Sequence, residues 1–200
     1  LSPDKLRREL ACCQDPQDTR LPPTVRPLID DQLSALDQLE TRLAAYADQI
    51  AAQAAHSDVT RRLQTIAGIG PTTAAAMVAT VGKPQEFRNG RQFAAWLGLT
   101  PKQHSTGGKT RLGRITKRGD AYLRTLLILG AKSALQSALR RPPEGRHRLQ
   151  QWIVAVFSRI GYHKTLVAIA NKHARIIWAL LVKGEAFDVR RMTPTVVAAA

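Results

Sequence analysis

The residues of this chain best suited to chemistry lie between Thr100 and Arg124. Ser105 stands two positions before the pair Gly107 and Gly108. Seven cations surround it, Lys102, Lys109, Arg111, Arg114, Lys117, Arg118 and Arg124, against a single acid, Asp120. Glycine lets a backbone approach a ligand closely and adopt positive φ. Lysine and arginine hold phosphate oxygens, arginine as a two-pronged donor. A hydroxyl in such surroundings is placed to attack a phosphodiester. The same residues also describe a basic loop that touches nucleic acid and contains a serine incidentally. Taken alone, they leave both readings open.

The charge around this segment is unevenly distributed. The 200 residues carry 30 Lys and Arg against 15 Asp and Glu, a formal charge of +15. Residues 1–60 hold six basic and ten acidic residues, whereas residues 61–200 hold twenty-four basic and five acidic. A block this basic calls for a polyanionic partner, most simply nucleic acid. An anionic membrane surface would call for a basic amphipathic helix with large apolar anchors, a weaker feature here. No run reaches the roughly 18–20 apolar residues of a spanning helix, and no signal peptide is visible. The expected location is a reducing cytoplasm, with no membrane partner. Cys12 and Cys13 are adjacent and give neither a disulfide framework nor a zinc spacing. The five histidines, 56, 104, 147, 163 and 173, are scattered, so no metal site is expected from this chain alone.

Elements that would position the serine can be read on both sides. Residues 1–27 are proline-punctuated and read as a linker or a remnant of an upstream domain. Over residues 28–56, Ile29, Leu36, Leu43 and Ile50 recur every seven residues with Leu39 and Tyr46 between them, the seam of a coiled-coil arm. Within a domain spanning 57–187, residues 58–81 fit a helix–hairpin–helix pattern. There Ile66 and Ile69 anchor a turn, Gly68 and Gly70 permit its bend, and Pro71 opens a second helix at a favoured first position. The free N–H groups of that helix, around Thr72, are suited to a phosphate oxygen. On this reading Gly70→Val disrupts the turn through positive φ. A short helix is expected over 89–97, a serine loop over about 100–119, and a helix from an Asp120 N-cap through Leu139. Two more helices are expected over 150–160 and 165–182, and a tail over 188–200. No sustained strand pattern appears, so the expected fold is mainly α.

These motifs occur in a recognisable order. The run Ile66 to Pro71 is followed by Phe93 to Pro101, His104 to Lys109, Gly113 to Gly119, Tyr122 to Leu127 and Asn171 to Trp178. In that order they resemble insertion-sequence transposases of the one-hundred-and-ten family, especially its eleven-eleven subgroup, over residues 28 to 187. The resemblance implies an N-terminal RuvC-like domain with a DEDD set of metal-binding acids, a coiled coil, and a C-terminal domain with a nucleophilic serine. It implies recombination guided by a bridge RNA and a homo-oligomeric synapse, dimer to tetramer. By position the serine is Ser105. The DEDD domain would lie upstream of Leu1, so the chain is expected to be the C-terminal part and inactive alone. A divalent metal, magnesium, would be held by those upstream acids.

The resemblance also implies a division of labour. Ser105 would attack DNA to give a 5′-phosphoserine link. Lys109, Arg111 and Arg114 would offset charge developing on phosphorus. Lys102, Lys117 and Arg118 would hold flanking phosphates. His104, the adjacent residue, is a poor candidate base because neighbouring side chains diverge. Tyr122, at a helix start, is read as packing or contacting phosphate rather than as the nucleophile. The competing class is a non-catalytic helix–hairpin–helix module that binds DNA or RNA. It accounts for the charge and for Gly68 and Gly70 but gives Ser105 no role.

Overall fold

A computed structural model describes the backbone of residues 3–12, 22–106 and 109–188. Among these the protein is mainly α, as expected, with eight α-helices and one small antiparallel sheet. The chain divides into two compact units, Leu1–Gln49 and Ile50–Ala200.

The first unit contains α1, Pro3–Cys12, and most of α2, Arg26–His56. Residues 1–27, read as a linker or a remnant of an upstream domain, include a ten-residue helix. Pro3 opens it, where its missing N–H costs nothing. The Arg7 guanidinium meets Asp37 at 2.8 Å and Glu40 at 3.0 Å on α2. α2 leaves Leu39 and Leu43 exposed, at 53% and 67%. Apolar residues in a row on an exposed helix face need covering to contribute stability.

The second unit is built on a helical core. Ser57 caps α3, Asp58–Leu63, by accepting from Thr60 N. Thr60 Oγ1 donates to the carbonyl of Ala54, tying α3 to the end of α2. A turn then leads to α4, Pro71–Val81, with Pro71 in its first turn as expected. Ile66 and Ile69 are buried beneath the turn. The glycines differ from expectation. Gly68 has φ +87°, and a Cβ there would stand 2.2 Å from the carbonyl oxygen of Gly130. Gly70 is extended, φ −89° and ψ 178°, with nothing within 4 Å of a Cβ. The conformational need therefore lies at Gly68, and Gly70→Val has no positive φ to oppose it.

Asn89 caps α5, Gly90–Trp96, by accepting from the backbone N of Arg91 and Gln92. Phe93 is fully buried and stacks on Trp96 at 5.7 Å. After the sheet, Asp120 accepts from Leu123 N at 2.9 Å and so caps α6, Ala121–Arg140. His147 and Gln150 form a reciprocal cap on α7, Arg148–Ile160. Gly161 separates it from α8, Tyr162–Lys183, which starts three residues before its expected onset. α6 packs on α7 and α8, and α5 packs on α8. Leu63, Met77, Phe93, Leu127, Leu135, Ile153, Ile169 and Ile177 fill the space between them.

α8 requires one correction. Contrary to the sequence reading, its 22 residues are long and apolar enough to cross a membrane by length and composition. Its apolar side is the one that packs: Leu166, Ile169, Ala170, Ala174, Ile177 and Leu180 are all buried in the core.

The same helix buries His173 completely, and neither ring nitrogen meets a hydrogen-bond partner. Burial pushes its pKa down to about 4. An unfolded histidine titrates near pH ~6.5, so the unfolded chain gains a proton first as pH falls. Stability is full above pH ~6.5 and is lost between there and about 4. The loss should approach ~3 kcal/mol. Thermal unfolding should therefore show Tm falling from pH 7.5 to 5, with a much smaller fall in His173→Leu. An equal fall in both proteins would assign the acid sensitivity elsewhere.

Candidate nucleic-acid interface

The segment expected as a serine loop is a β-hairpin. β1, Pro101–Thr106, pairs antiparallel with β2, Lys109–Ile115. The register sets Gln103 opposite Leu112, His104 opposite Arg111, Ser105 opposite Thr110 and Thr106 opposite Lys109, with an irregularity between Pro101 and Gln103. Residues 102–104 and 111–114 are exposed. The alternation that announces a strand comes from one buried face. This ribbon buries neither, so its polar sequence carries no such signal. Gly107 and Gly108 lie outside the described residues, as do the side chains of Ser105 and Lys109.

A two-stranded ribbon is marginal on its own, and here its base is tied to the core. Thr116 N donates to Thr100 O at 2.9 Å, and Lys117 N donates to Gly98 O at 3.2 Å. Gly98 and Gly119 let the two chain segments touch backbone to backbone. A Cβ at Gly98 would lie 2.0 Å from Arg118 O, and one at Gly119 would lie 1.9 Å from Trp96 O. Both have positive φ, +71° and +94°. Lys117 also has positive φ, 54°, a conformation that costs a non-glycine residue about 1 kcal/mol or more. Arg124 Nη1 donates to Leu97 O at 3.2 Å. Asn171 Nδ2 of α8 donates to Leu99 O at 3.2 Å. These ties fix the strand that leads to Ser105. Sequence reasoning missed the roles of Gly98, Gly119 and Arg124. The signal present was a glycine on each side of the basic run.

Strand alternation then sorts the site residues. Paired positions share a face, so position 105 groups with Gln103 and Leu112, and His104 and Arg111 belong to the other face. A Cβ at Gly113 would lie 3.9 Å from the His104 ring and from Lys102 Cβ, which places Lys102 with that second group. The hairpin thus sets Lys102, His104 and Arg111 on the side opposite position 105. Lys117 and Arg118 follow at the base. These five cations, Lys102, Arg111, Arg114, Lys117 and Arg118, are exposed, and none meets a carboxylate among the described residues.

The turn glycines and Thr72 sit elsewhere in the second unit. Thr72 is exposed in the first turn of α4, and the N-cap Gly70 offers no side chain to its amides. Those N–H groups need an outside acceptor. Tyr122 is 57% exposed in the first turn of α6. Among the described residues no group of three or more His, Cys, Asp or Glu could hold a metal ion. The metal implied by the resemblance is expected on acids upstream of this segment, and the described residues offer it no ligand set.

Comparison with known proteins agrees with the motif order. A family model described as the transposase IS116/IS110/IS902 family matches residues 60–150, which include α4, the hairpin and α6. A probable family 20 transposase of Pseudomonas aeruginosa is 45% identical over 161 residues, 80% of this chain and 46% of that protein. The transposase for insertion sequence element IS1111A of Coxiella burnetii is 35% identical over 84% of this chain and 45% of its own length. The transposase for insertion sequence element IS1328 of Yersinia enterocolitica is 33% identical over 86% and 51%. The chain spans about half the length of the curated relatives it matches. By its motifs, its matched domain and its relatives, this chain belongs to the IS116/IS110/IS902 transposase family.

Proposed function

We propose that this chain supplies the DNA-holding surface and the attacking serine of an insertion-sequence transposase. The observation that carries the reading is the exposed cationic hairpin, tied at its base to the core and bearing Ser105 in its first strand. In the proposed step the Ser105 hydroxyl oxygen bonds to a DNA phosphorus and the bond from phosphorus to the 3′ oxygen breaks. The serine proton is released and the leaving oxygen takes one up as a 3′-hydroxyl. One phosphodiester replaces another, so the bond is conserved for religation. Arg114 offsets charge developing on phosphorus. Lys102 and Arg111, on the face opposite position 105, grip flanking phosphates, as do Lys109, Lys117 and Arg118. His104 is on the face opposite position 105, which argues against it as the base. A bridge RNA, as the family resemblance implies, selects the DNA.

Binding provides the first test. Lys109→Gln, Arg111→Gln and Arg114→Gln together should weaken affinity for duplex DNA of any sequence. The log–log salt slope should become shallower by about 0.9 for each phosphate no longer neutralised. An unchanged slope would place these side chains away from DNA.

Assembly of the arm belongs to the same reading. Leu39, Leu43 and Tyr46 stand exposed on α2, which supports pairing with a second copy through the heptad seam. Leu36→Asp with Leu43→Asp should shift sedimentation at tens of micromolar toward monomer. A parent already monomeric there would leave the arm without a pairing role.

The exposed, uncapped start of α4 also favours a second reading, a helix–hairpin–helix module that binds DNA or RNA without cleaving it. That module would bind as tightly with Ser105→Ala and would form no covalent product in any context.

A further inference from the structure

The groove between the start of α5 and the outer face of α8 holds charge that the hairpin does not explain. Lys172, Arg175, Ala179 and Lys183 follow at three- and four-residue spacing and so share one side of α8. Gly90 is buried against α8, where a Cβ would come within 3.0 Å of the Arg175 Cα. This close approach sets Arg91 on the rim of the same groove, which has a volume of about 580 Å³. Trp178 forms part of the wall, and its indole N–H is already committed to Pro84 O at 3.0 Å. The chain after α8 closes one side, held by Phe187 N donating to Thr65 Oγ1 at 3.1 Å.

The cations of the groove are unequally placed. Lys172 is half-buried with its ammonium 4.3 Å from the Trp152 ring centre, a cation–π contact that offsets part of its burial. Glu185 and Asp188 also line the groove, against Arg91, Lys172, Arg175 and Lys183. Burial, and then the neighbouring Arg175 charge, hold the Lys172 pKa below its ordinary value. Like charges one helical turn apart repel, and a partly buried cation without a counter-charge is costly. A bound anion offsets both. The Asn89 side-chain oxygen caps α5, so the groove's strongest unused donors are its cations, suited to phosphate rather than to base edges.

We infer that this groove is a second phosphate-binding site, taking the sugar–phosphate backbone of a nucleic acid strand in addition to the one held by the hairpin. The inference rests on the nucleic-acid reading above, and its test separates the two. The 200-residue chain carrying Lys172→Met and Arg175→Gln is compared with Arg111→Gln/Arg114→Gln and with the parent. Each is titrated with labelled duplex and single-stranded oligonucleotides across a salt series. For each phosphate released, the slope of the groove variant should become shallower by about 0.9 on duplex, or about 0.7 on a single strand. Its Tm should change little, the relieved repulsion and the lost cation–π contact with Trp152 opposing each other. The effects in the two variants should add, the sites being separate. Charge-conserving Arg175→Lys should keep the slope. If the double variant misfolds, Arg175→Gln alone, at an exposed position, should show half the effect.

An unchanged slope in the groove variant, with a shallower one in the hairpin variant, overturns this inference and leaves the functional reading standing. A parent that binds neither oligonucleotide overturns both. Stabilisation of the parent by inorganic phosphate, with no change in oligonucleotide slope, would make the groove a site for free phosphate and overturn the inference too.

Discussion

Gly130→Ala should destabilise the helical unit by about 2–4 kcal/mol, although it improves helix propensity. Alanine in a helix interior is favoured over glycine by roughly 1 kcal/mol. Against that gain stands a Cβ only 2.2 Å from the Gly68 carbonyl oxygen. Both sides of this contact are main chain, so relief requires α6 and the α3–α4 turn to separate. Overpacking of this kind typically costs ~1–3 kcal/mol, occasionally more, and it also loosens the packing around Leu127 and Ala134. The collision therefore outweighs the propensity. Gly68→Ala should do at least as much harm, because positive φ adds ~1–2 kcal/mol for a residue with a side chain. Gly70→Ala is the control, extended and facing open space, and should stay within ~0.5 kcal/mol of the parent. Urea unfolding of the three variants distinguishes these outcomes. A Gly130→Ala protein more stable than the parent would show that the turn and α6 are not in backbone contact.

These glycines also show where the sequence could be read and where it could not. Helices with one buried side were legible because their apolar spacing is set by the core. α6 buries Leu123, Leu127, Ala131 and Ala138, all on the stripe expected from the sequence, and Asp120 caps it as its side chain suggests. Trp152 and Trp178 lie partly buried at the edge of the core, since apolar character on a helix face does not say how far a neighbour reaches. The hairpin was illegible because its strands bury no face. Which of Gly68 and Gly70 needs positive φ was also hidden, as both satisfy the same local pattern and only the approach of α6 decides. The groove cations escaped notice for a similar reason. Only the approach of Gly90 to α8 places Lys172 and Arg175 beside Arg91 in one groove.

For the candidate site, type and neighbourhood were legible but geometry was not. The sequence places Ser105 among cations, yet it cannot say that Arg111 and His104 lie on the opposite face. That division follows from pairing Ser105 with Thr110, and it bears on catalysis. Replacing Arg111 should weaken binding more than it slows the chemical step.

The largest effect expected is at the serine itself. Within a full-length transposase of the family, supplied with its bridge RNA and a divalent metal, this segment should become covalently joined to a DNA 5′ end. Ser105→Ala removes one oxygen from a surface rich in other phosphate-binding groups, so DNA affinity should change by less than about threefold, under ~0.7 kcal/mol. Adduct formation should fall by more than ~10³-fold, since removing the nucleophile leaves no covalent route. The separation of these two numbers distinguishes a nucleophile from a serine that merely touches phosphate.

The most direct measurement is peptide mapping of the adduct that survives denaturant. If Ser105 is the nucleophile, the nucleotide is found on Ser105 and the Ser105→Ala protein yields no adduct. A label on Thr106 or Tyr122, or an undiminished adduct from Ser105→Ala, would contradict that assignment.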